Sequence, residues 1–252
     1  MEKLSVVIIT YNEERNIRRC LESVDSVADE IVVVDSISTD GTKQICSEFD
    51  VVFIEQEFLG YIEQKNDALK FASHDFVLSL DADEALSHEL ISSILKVKNG
   101  FSASGYSMNR LTNYCGTWVH HCGWYPDRKL RLFNRELGNW GGINPHDEFF
   151  LNDKKPVIHI KGDILHYSYY TVEEHYKQAR RFSDIAAQSY FDKGKKGSIF
   201  SLMFSPIIRF IRDYFFYLGF LDGSVGLRIC YMSAFTTQMK YSKLINLHKR
   251  SR

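Results

Sequence analysis

Asp81 and Asp83 close the stretch FVLSLDADE, directly after Phe76 to Leu80, an apolar run with the length of a buried strand. Side chains two apart on an extended chain point to the same face. An extended backbone carried one residue past the run would therefore project both carboxylates together from the carboxyl edge of a sheet, the edge at which open α/β sheets bind ligands. Paired acidic oxygens suit a hard divalent cation, Mg²⁺ or Mn²⁺, that keeps coordination positions for phosphate oxygens. A surface turn also accommodates two Asp, so the surroundings of the triplet decide its meaning.

Those surroundings supply more polar groups at corresponding strand ends: Thr10, Tyr11, Asn12 and Glu13 after a first strand, Asp35 after a second, and Lys65 within GYIEQKNDAL. Asp35 can accept from a base N–H or a ribose hydroxyl, and Lys65 can neutralise phosphate charge. Each has a plainer role available. Asn12 and Glu13 can cap a helix, Asp35 and Asp40 can shape a turn, and Lys65 can be solvated. Their joint placement favours a nucleotide site without a P-loop, because strand ends in a doubly wound sheet lie side by side.

The elements that must position these groups alternate. SVVIIT (5 to 10), EIVVVDS (30 to 36), VVFIEQ (51 to 56) and FVLSL read as strands; YNEERNIRRCLESV, a stretch around 42 to 48, another from about 62 to 73, and SHELISSILKVK read as helices. That alternation predicts a mostly parallel sheet with helices on both faces. From Gly100 to about Ser168 shorter pieces follow, with strands expected at GYSMNR, KLRLFNR and VIHIKGDILHYS, and residues 171 to 192 read as a helix ending at GKKG. The expected division is a body over residues 1–192, its nucleotide-binding half at 1–100 and its acceptor half at 101–170, followed by a basic aromatic tail at 193–252.

The chain has 252 residues, enough to bury a full core. Its net charge of −1 conceals an asymmetry: from Lys193 onward there are eleven Lys/Arg against Asp213 and Asp222, a formal +9 that leaves −10 for the rest. Cys20, Cys46, Cys115, Cys122 and Cys230 are odd in number and scattered, which fits a reduced, cytoplasmic setting. CGTWVHHC matches no zinc finger or ribbon spacing. The opening MEKLSVVIITYNEE lacks the pattern of a signal peptide, so the fold is expected to start at once.

VVIITYNEERNIRRCLESV, EIVVVDSISTDGT, GYIEQKNDAL and LSLDADE resemble the successive motifs of the family 2, GT-A fold, inverting glycosyltransferases. GWYPDRKLRLFNR, HDE and HYSYYTVEEHYKQARRFS resemble the subgroup that includes lipopolysaccharide core beta-glucosyltransferases. The resemblance implies a Rossmann-like GT-A architecture in which Thr10, Tyr11, Asn12 and Glu13 line the nucleotide pocket, Asp35 bonds the uracil, Lys65 lies near the diphosphate, Asp81 contacts the ribose side and Asp83 the metal. A metal there neutralises charge on the departing nucleoside diphosphate. An inverting transfer also needs a general base across the sugar from the leaving group. The candidates are Asp147, then Glu148, beside His146; the family pattern at this point is His followed by Glu, where this chain has His146, Asp147 and Glu148. An acidic loop after a Pro turn is the plainer account. Trp124, Tyr125, Asp127, Arg128 and Arg131 form a second group suited to a sugar face or an acceptor phosphate, although Trp124 and Tyr125 equally suit packing. His166 is a further polar candidate by the resemblance, against the plainer reading of a satisfied core histidine.

GSIFSLMFSPIIRFIRDYFFYLGFLDG is apolar and aromatic, but Pro206, Arg209, Arg212 and Asp213 interrupt it, so it fails as a membrane span. C-terminal amphipathic helices lying on an anionic membrane surface fit better; packing on the body or on a second subunit is the alternative, which leaves a homo-oligomer open. The basic residues are too dispersed among apolar ones for a nucleic-acid arm. The combined expectation is a metal-dependent hexosyltransferase, peripheral on the inner face of the cytoplasmic membrane, that moves a hexose such as glucose from a UDP-sugar to a lipid-linked glycan such as lipopolysaccharide core. Its rivals are a sugar-phosphate nucleotidyltransferase, which should carry a Gly-rich loop where TYNEERN has none, and a noncatalytic, membrane-associated nucleotide-sugar binder.

Overall fold

The first strand, β1 (Leu4–Thr10), is apolar without alternation because both its faces are covered. Leu4, Val6 and Ile8 pack with Ile17, Cys20, Leu21 and Val24 of helix α1 (Ile17–Val24), while Val7 and Ile9 pack with Ala68 and Leu69 of α3 (Tyr61–Phe71). Each such fully buried aliphatic side chain contributes about 1.5–3 kcal/mol. A computed structural model describes residues 2–143, 146–153 and 155–250 of the chain. They fall into two compact units, Met1–Arg110 with Asp127–Tyr167, and Leu111–Pro126 with Ser168–Arg252.

In the first unit, β1 pairs in parallel with β2 (Glu30–Asp35) on one side and β4 (Phe76–Asp81) on the other, and β2 with β3 (Val52–Glu55). The register sets Thr10 beside Asp35 and Ile9 beside Asp81, which aligns the carboxyl ends of three strands in a row. The short helix α2 (Thr42–Cys46) lies between β2 and β3. After β4 come β5 (Glu84–Leu86), α4 (His88–Val97), β6 (Gly105–Tyr114), β7 (Thr117–Val119), β8 (Asp127–Asn134), β9 (Gly138–Ile143), β10 (His146–Leu151) and β11 (Ile158–Tyr169). The nine-stranded sheet runs β3-β2-β1-β4-β8-β6-β11-β5, with β7 on β6; β9 and β10 form a separate hairpin. The β3-β2-β1-β4 part is parallel and β8 joins β4 antiparallel, so the expected α/β layering carries a mixed sheet.

Two details locate the later strands. Gly162, at φ +97°, brings β11 against the start of α4, where a Cβ would lie 2.2 Å from the Leu90 nitrogen. Ser87 Oγ caps α4 by accepting from Leu90 N at 3.2 Å and also accepts from Asp163 N at 3.0 Å. The β11–β5 pairing then sets His166 opposite Glu84.

The second unit is built on helices α5 (Val172–Asp192), α6 (Ile199–Ile211) and α7 (Gly223–Arg250), with α5 and α6 both packed on α7. A capping box starts α5: Thr171 Oγ1 accepts from Glu174 N, and Glu174 Oε2 accepts from Thr171 N. Tyr114, Val119, Cys122, Ile229 and Cys230 form the core of this unit. A π-helical turn, Arg212–Phe216, and a 3₁₀ turn, Gly219–Asp222, connect α6 to α7. Among the described residues no helix is long and apolar enough to cross a membrane.

Candidate active site

Helix α3 presents Gln64, Lys65 and Asn66 in succession, and all three are engaged. Gln64 Oε1 accepts from Ser36 Oγ at 2.9 Å while its Nε2 donates to the Val34 carbonyl at 3.3 Å, which latches α3 to the end of β2. Asn66 exchanges two bonds of 2.9 Å with the backbone of Trp140, which latches it to β9. Lys65 between them is 3% exposed, and a buried ammonium requires anionic partners. Its Nζ lies 3.0 Å from Asp81 Oδ1 and 2.7 Å from Asp147 Oδ2, and 4.7 Å from the centroid of the Trp140 ring. Asp147, 82 positions after Lys65 in sequence, thereby shares that cation with Asp81.

The other oxygen of Asp81 is 3.1 Å from Arg131 Nη2, which also lies 3.2 Å from Glu84 Oε1. Glu84 is 1% exposed; its Oε2 accepts from Asp81 N at 3.0 Å, and Oε1 lies 3.5 Å from Arg110. Arg110 Nη2 in turn holds Asp127 at 2.8 Å. The result is an alternating charge chain, Asp147, Lys65, Asp81, Arg131, Glu84, Arg110, Asp127. Burial pushes the Asp81 carboxyl up, but Lys65 and Arg131 outweigh it and hold the group well below the usual carboxylate range. Burial likewise opposes the charge on Arg131, and Glu84, Asp81 and Asp147 outweigh that, raising its pKa further.

Asp81 ends β4, and residues 82 and 83 form a turn. The extended backbone that would have pointed both carboxylates one way stops there: Ala82 N makes the last bond of the β1–β4 ladder, to the Ile9 carbonyl, and past the turn the Asp83 carbonyl accepts from Tyr167 N of β11. The two acids consequently have different partners. Asp83 Oδ2 lies 3.2 Å from His166 Nε2 on β11. Burial lowers the imidazole pKa, and the charge and hydrogen bond of Asp83, with the Glu84 charge, together raise it overall. Among the described residues no three His, Cys, Asp or Glu side chains are grouped to hold a metal. A carboxylate beside an imidazole nonetheless fits a divalent ion that takes the rest of its coordination from phosphate and water; Asp83 and His166 would hold it, with Asp81, already shared by two cations, beside them.

At the carboxyl end of β1, Thr10 is 5% exposed and its Oγ1 is a buried hydroxyl without a hydrogen-bond partner among the described residues. Arg131 Nη1 and Trp140 Nε1 are in the same condition, and all three are donors a ligand would satisfy. Tyr11 is 58% exposed. Asn12 sits at φ +53° and accepts from Thr39 N at 2.8 Å, so it fastens two loops; helix α1 begins only at Ile17, and neither Asn12 nor Glu13 caps it. Burial, with the nearby Asp83, Asp40 and Asp81, pushes Glu13 up to about 7 against its bond from Asn16. Asp35 is buried and accepts from Ser38 Oγ at 2.5 Å and Ser38 N at 2.7 Å. It shapes a turn, and a carboxylate's four lone-pair sites leave room for a further donor.

The hairpin of β9 and β10 delivers Asp147 to Lys65. Glu148, one residue on, is exposed, as alternation on a strand requires. The side chain of His146 and the residue Pro145 lie outside the described residues. The group Trp124, Tyr125, Asp127, Arg128 and Arg131 divides between the units. Arg131 and Asp127 join the charge chain and Arg128 is exposed, whereas Trp124 packs edge-on to Tyr114 and His175 in the second unit and Tyr125 meets His120. Glu84, Arg110 and Trp140 have no counterpart in the sequence reading. Glu84 stands in the quoted LSLDADE, three residues after Asp81, and its lack of exposure is the property that no local pattern reveals.

The family model described as Glycosyl transferase family 2 matches residues 5–159. An uncharacterised glycosyltransferase of Rickettsia typhi is 32% identical over all of this chain and 90% of its own length. The lipopolysaccharide core biosynthesis glycosyltransferase LpsC of Rhizobium meliloti is 29% identical over 84% of this chain and 80% of its own. Among solved structures, the mannosyltransferase PcManGT of Pyrobaculum calidifontis, in complex with GDP-Man and Mn²⁺, superposes with a TM-score of 0.51 at 15% identity, covering 99% of this chain and 76% of that one. Strand ends in register, buried cations between carboxylates and these likenesses agree, and the chain belongs to glycosyl transferase family 2, with a GT-A fold.

Proposed function

We propose that the protein transfers a hexose, with glucose the candidate, from a UDP-sugar to a lipid-linked glycan such as lipopolysaccharide core, with inversion, at the inner face of the cytoplasmic membrane. The observation that carries the reading is the buried Lys65 bridging Asp81 and Asp147, with Arg131 on the far side of Asp81. Two fixed cations beside the strand ends would take up charge on the diphosphate as it leaves. Asp35 and the Thr10 to Glu13 segment would hold the nucleoside. The acceptor oxygen would bond to the anomeric carbon as the sugar–phosphate bond breaks, the electron pair leaving with UDP and the proton passing to Asp147 Oδ1 while Lys65 orients the carboxylate through Oδ2. Glu148 is the alternative base. A bound Mg²⁺ or Mn²⁺ would supply further neutralisation of the leaving diphosphate, with Asp83 and His166 as its protein ligands. Support for the metal comes from that donor pair and from the mannosyltransferase, which was captured with Mn²⁺. Support for the acceptor comes from the likeness to LpsC.

The test is release of UDP and formation of glycosylated product from UDP-hexoses, with lipid-linked glycan and either metal, before and after chelation. Wild type should turn over with the metal, and Asp83→Ala should lose at least about a hundredfold in rate. Donor binding without turnover would make the protein a binder. No binding of any UDP-hexose would remove the donor assignment.

A further inference from the structure

Helix α6 turns an apolar face outward. Phe200, Phe204 and Ile208 form one ladder of i, i+4 neighbours and Met203, Ile207 and Ile211 the next, each between 43% and 69% exposed. A water-facing helix would carry polar residues on these positions. The apolar surface continues past the π-helical turn in Phe215, Phe216 and Leu221, which are 56%, 77% and 57% exposed. Contiguous exposure on this scale marks an interaction site.

The charges around the patch select its partner. From Lys193 to Tyr231 there are six Lys/Arg and two acids, and both acids are hidden. Asp213, 1% exposed, is held by Arg209 Nε at 2.6 Å and Arg212 Nη2 at 2.8 Å. Asp222, its side chain 6% exposed, is held by His121 Nδ1 at 2.8 Å. Lys193, Lys195 and Lys196, on the approach to α6, are exposed. The stretch therefore shows water only apolar side chains, uncharged polar groups and cations. A second copy of the same face would set cations against cations, whereas an anionic lipid surface offers acyl chains to the first class and phosphates to the last. Length decides the mode: a 13-residue helix spans about 20 Å, short of the roughly 30 Å hydrocarbon core, and Pro206 lies within it.

We propose that α6 and the two turns after it form a docking surface for an anionic lipid bilayer, lying in the interface with aromatic and aliphatic side chains among the acyl chains and the lysines at headgroup level. This deepens the membrane-side part of the reading above and is independent of the chemistry at Asp81 and Asp147.

The experiment is co-sedimentation of the full chain with vesicles of phosphatidylglycerol and phosphatidylcholine, and with phosphatidylcholine alone. Binding should favour the anionic vesicles by at least about tenfold. Phe200→Asp with Phe216→Asp should weaken it by a further tenfold or more, by the order of magnitude expected for lost apolar insertion. Replacing Lys193, Lys195 and Lys196 with Gln should weaken anionic binding by about fivefold per charge and leave neutral vesicles unaffected. Circular dichroism and UDP binding by the variants report that the fold persists. The proposal is overturned if the chain pellets with neither vesicle, if the Phe variants pellet like wild type, or if light scattering finds a dimer that those variants split in the absence of vesicle binding. Vesicle binding without sugar transfer would count against the chemistry alone, and sugar transfer without vesicle binding against this surface alone.

Discussion

Replacing Lys65 with Met would strip the shared cation from Asp81 and Asp147 while keeping most of the side-chain volume beside Trp140. Removing one partner from a buried ion pair costs about 3–5 kcal/mol, because the remaining charge stays desolvated. Asp81 keeps Arg131 and is 29% exposed, and Asp147 is 13% exposed, so water and the second cation relieve part of the burden and about 3 kcal/mol is expected. The pH dependence fixes the mechanism. In the wild type the Asp81 carboxyl is depressed below its ordinary 3.8, against burial, by Lys65 and Arg131, so its pairing contributes stability that is present above about pH 4 and lost as the pH falls further. In the variant burial is opposed by Arg131 alone, the carboxyl rises, and protonation relieves it at a higher pH. Urea unfolding at pH 7 and pH 4 should thus show a gap of about 3 kcal/mol between variant and wild type that narrows at the lower pH. Adding Asp147→Asn should recover part of the loss at pH 7 by removing one unpaired charge. A variant as stable as wild type at pH 7, or a gap that widens on acidification, would refute the reasoning.

Asp147→Asn should reduce kcat by about a hundredfold or more with little change in donor KM, and Glu148→Gln should stay within a few-fold of wild type, since only Asp147 reaches Lys65; steady-state kinetics with acceptor decides between them. Burial lowers His175 from 6.5 to about 4, so the unfolded chain binds a proton between those values that the folded chain does not, and stability should fall by about 3 kcal/mol on going from pH 7 to pH 4 from this group alone. His175→Phe should flatten that slope in unfolding titrations. Gly162→Ala should destabilise by about 3 kcal/mol or more, because the new Cβ would meet Leu90 backbone at 2.2 Å and Ala is strained at φ +97°; a thermal midpoint within a degree of wild type would contradict it.

Local patterns made much of the scaffold legible. SVVIIT, EIVVVDS and FVLSL became β1, β2 and β4, and α3 and α5 start and stop within about two residues of their expected limits. Their burial on both faces is what made these strands continuous apolar runs, so the same property that forms the parallel sheet also reveals it in sequence. The edge of that sheet was legible too, since parallel register puts Thr10, Asp35 and Asp81 at matching ends. Other features were not. Nothing in FVLSLDADE signals that the chain turns at Ala82, because the bond that holds the turned segment, from Tyr167 N to the Asp83 carbonyl, comes from a distant strand. Trp124 and Tyr125, three and two positions before Asp127, belong to a different unit.

The sequence by itself therefore determined the strand–helix alternation, the acidic and basic groups available at the sheet edge, and the apolar, cation-rich character of residues 193 to 231. Tertiary structure alone decided who neutralises whom: Lys65 between Asp81 and Asp147, Arg131 between Asp81 and Glu84, His166 on Asp83, and the two acids of the C-terminal stretch withdrawn under their own partners. Periodicity reports which face of an element leaves water, a property set by neighbours three or four residues away. Charge pairing depends on distances across the fold between residues that chain order keeps far apart, and inside a low-dielectric site those distances decide which groups hold their charge.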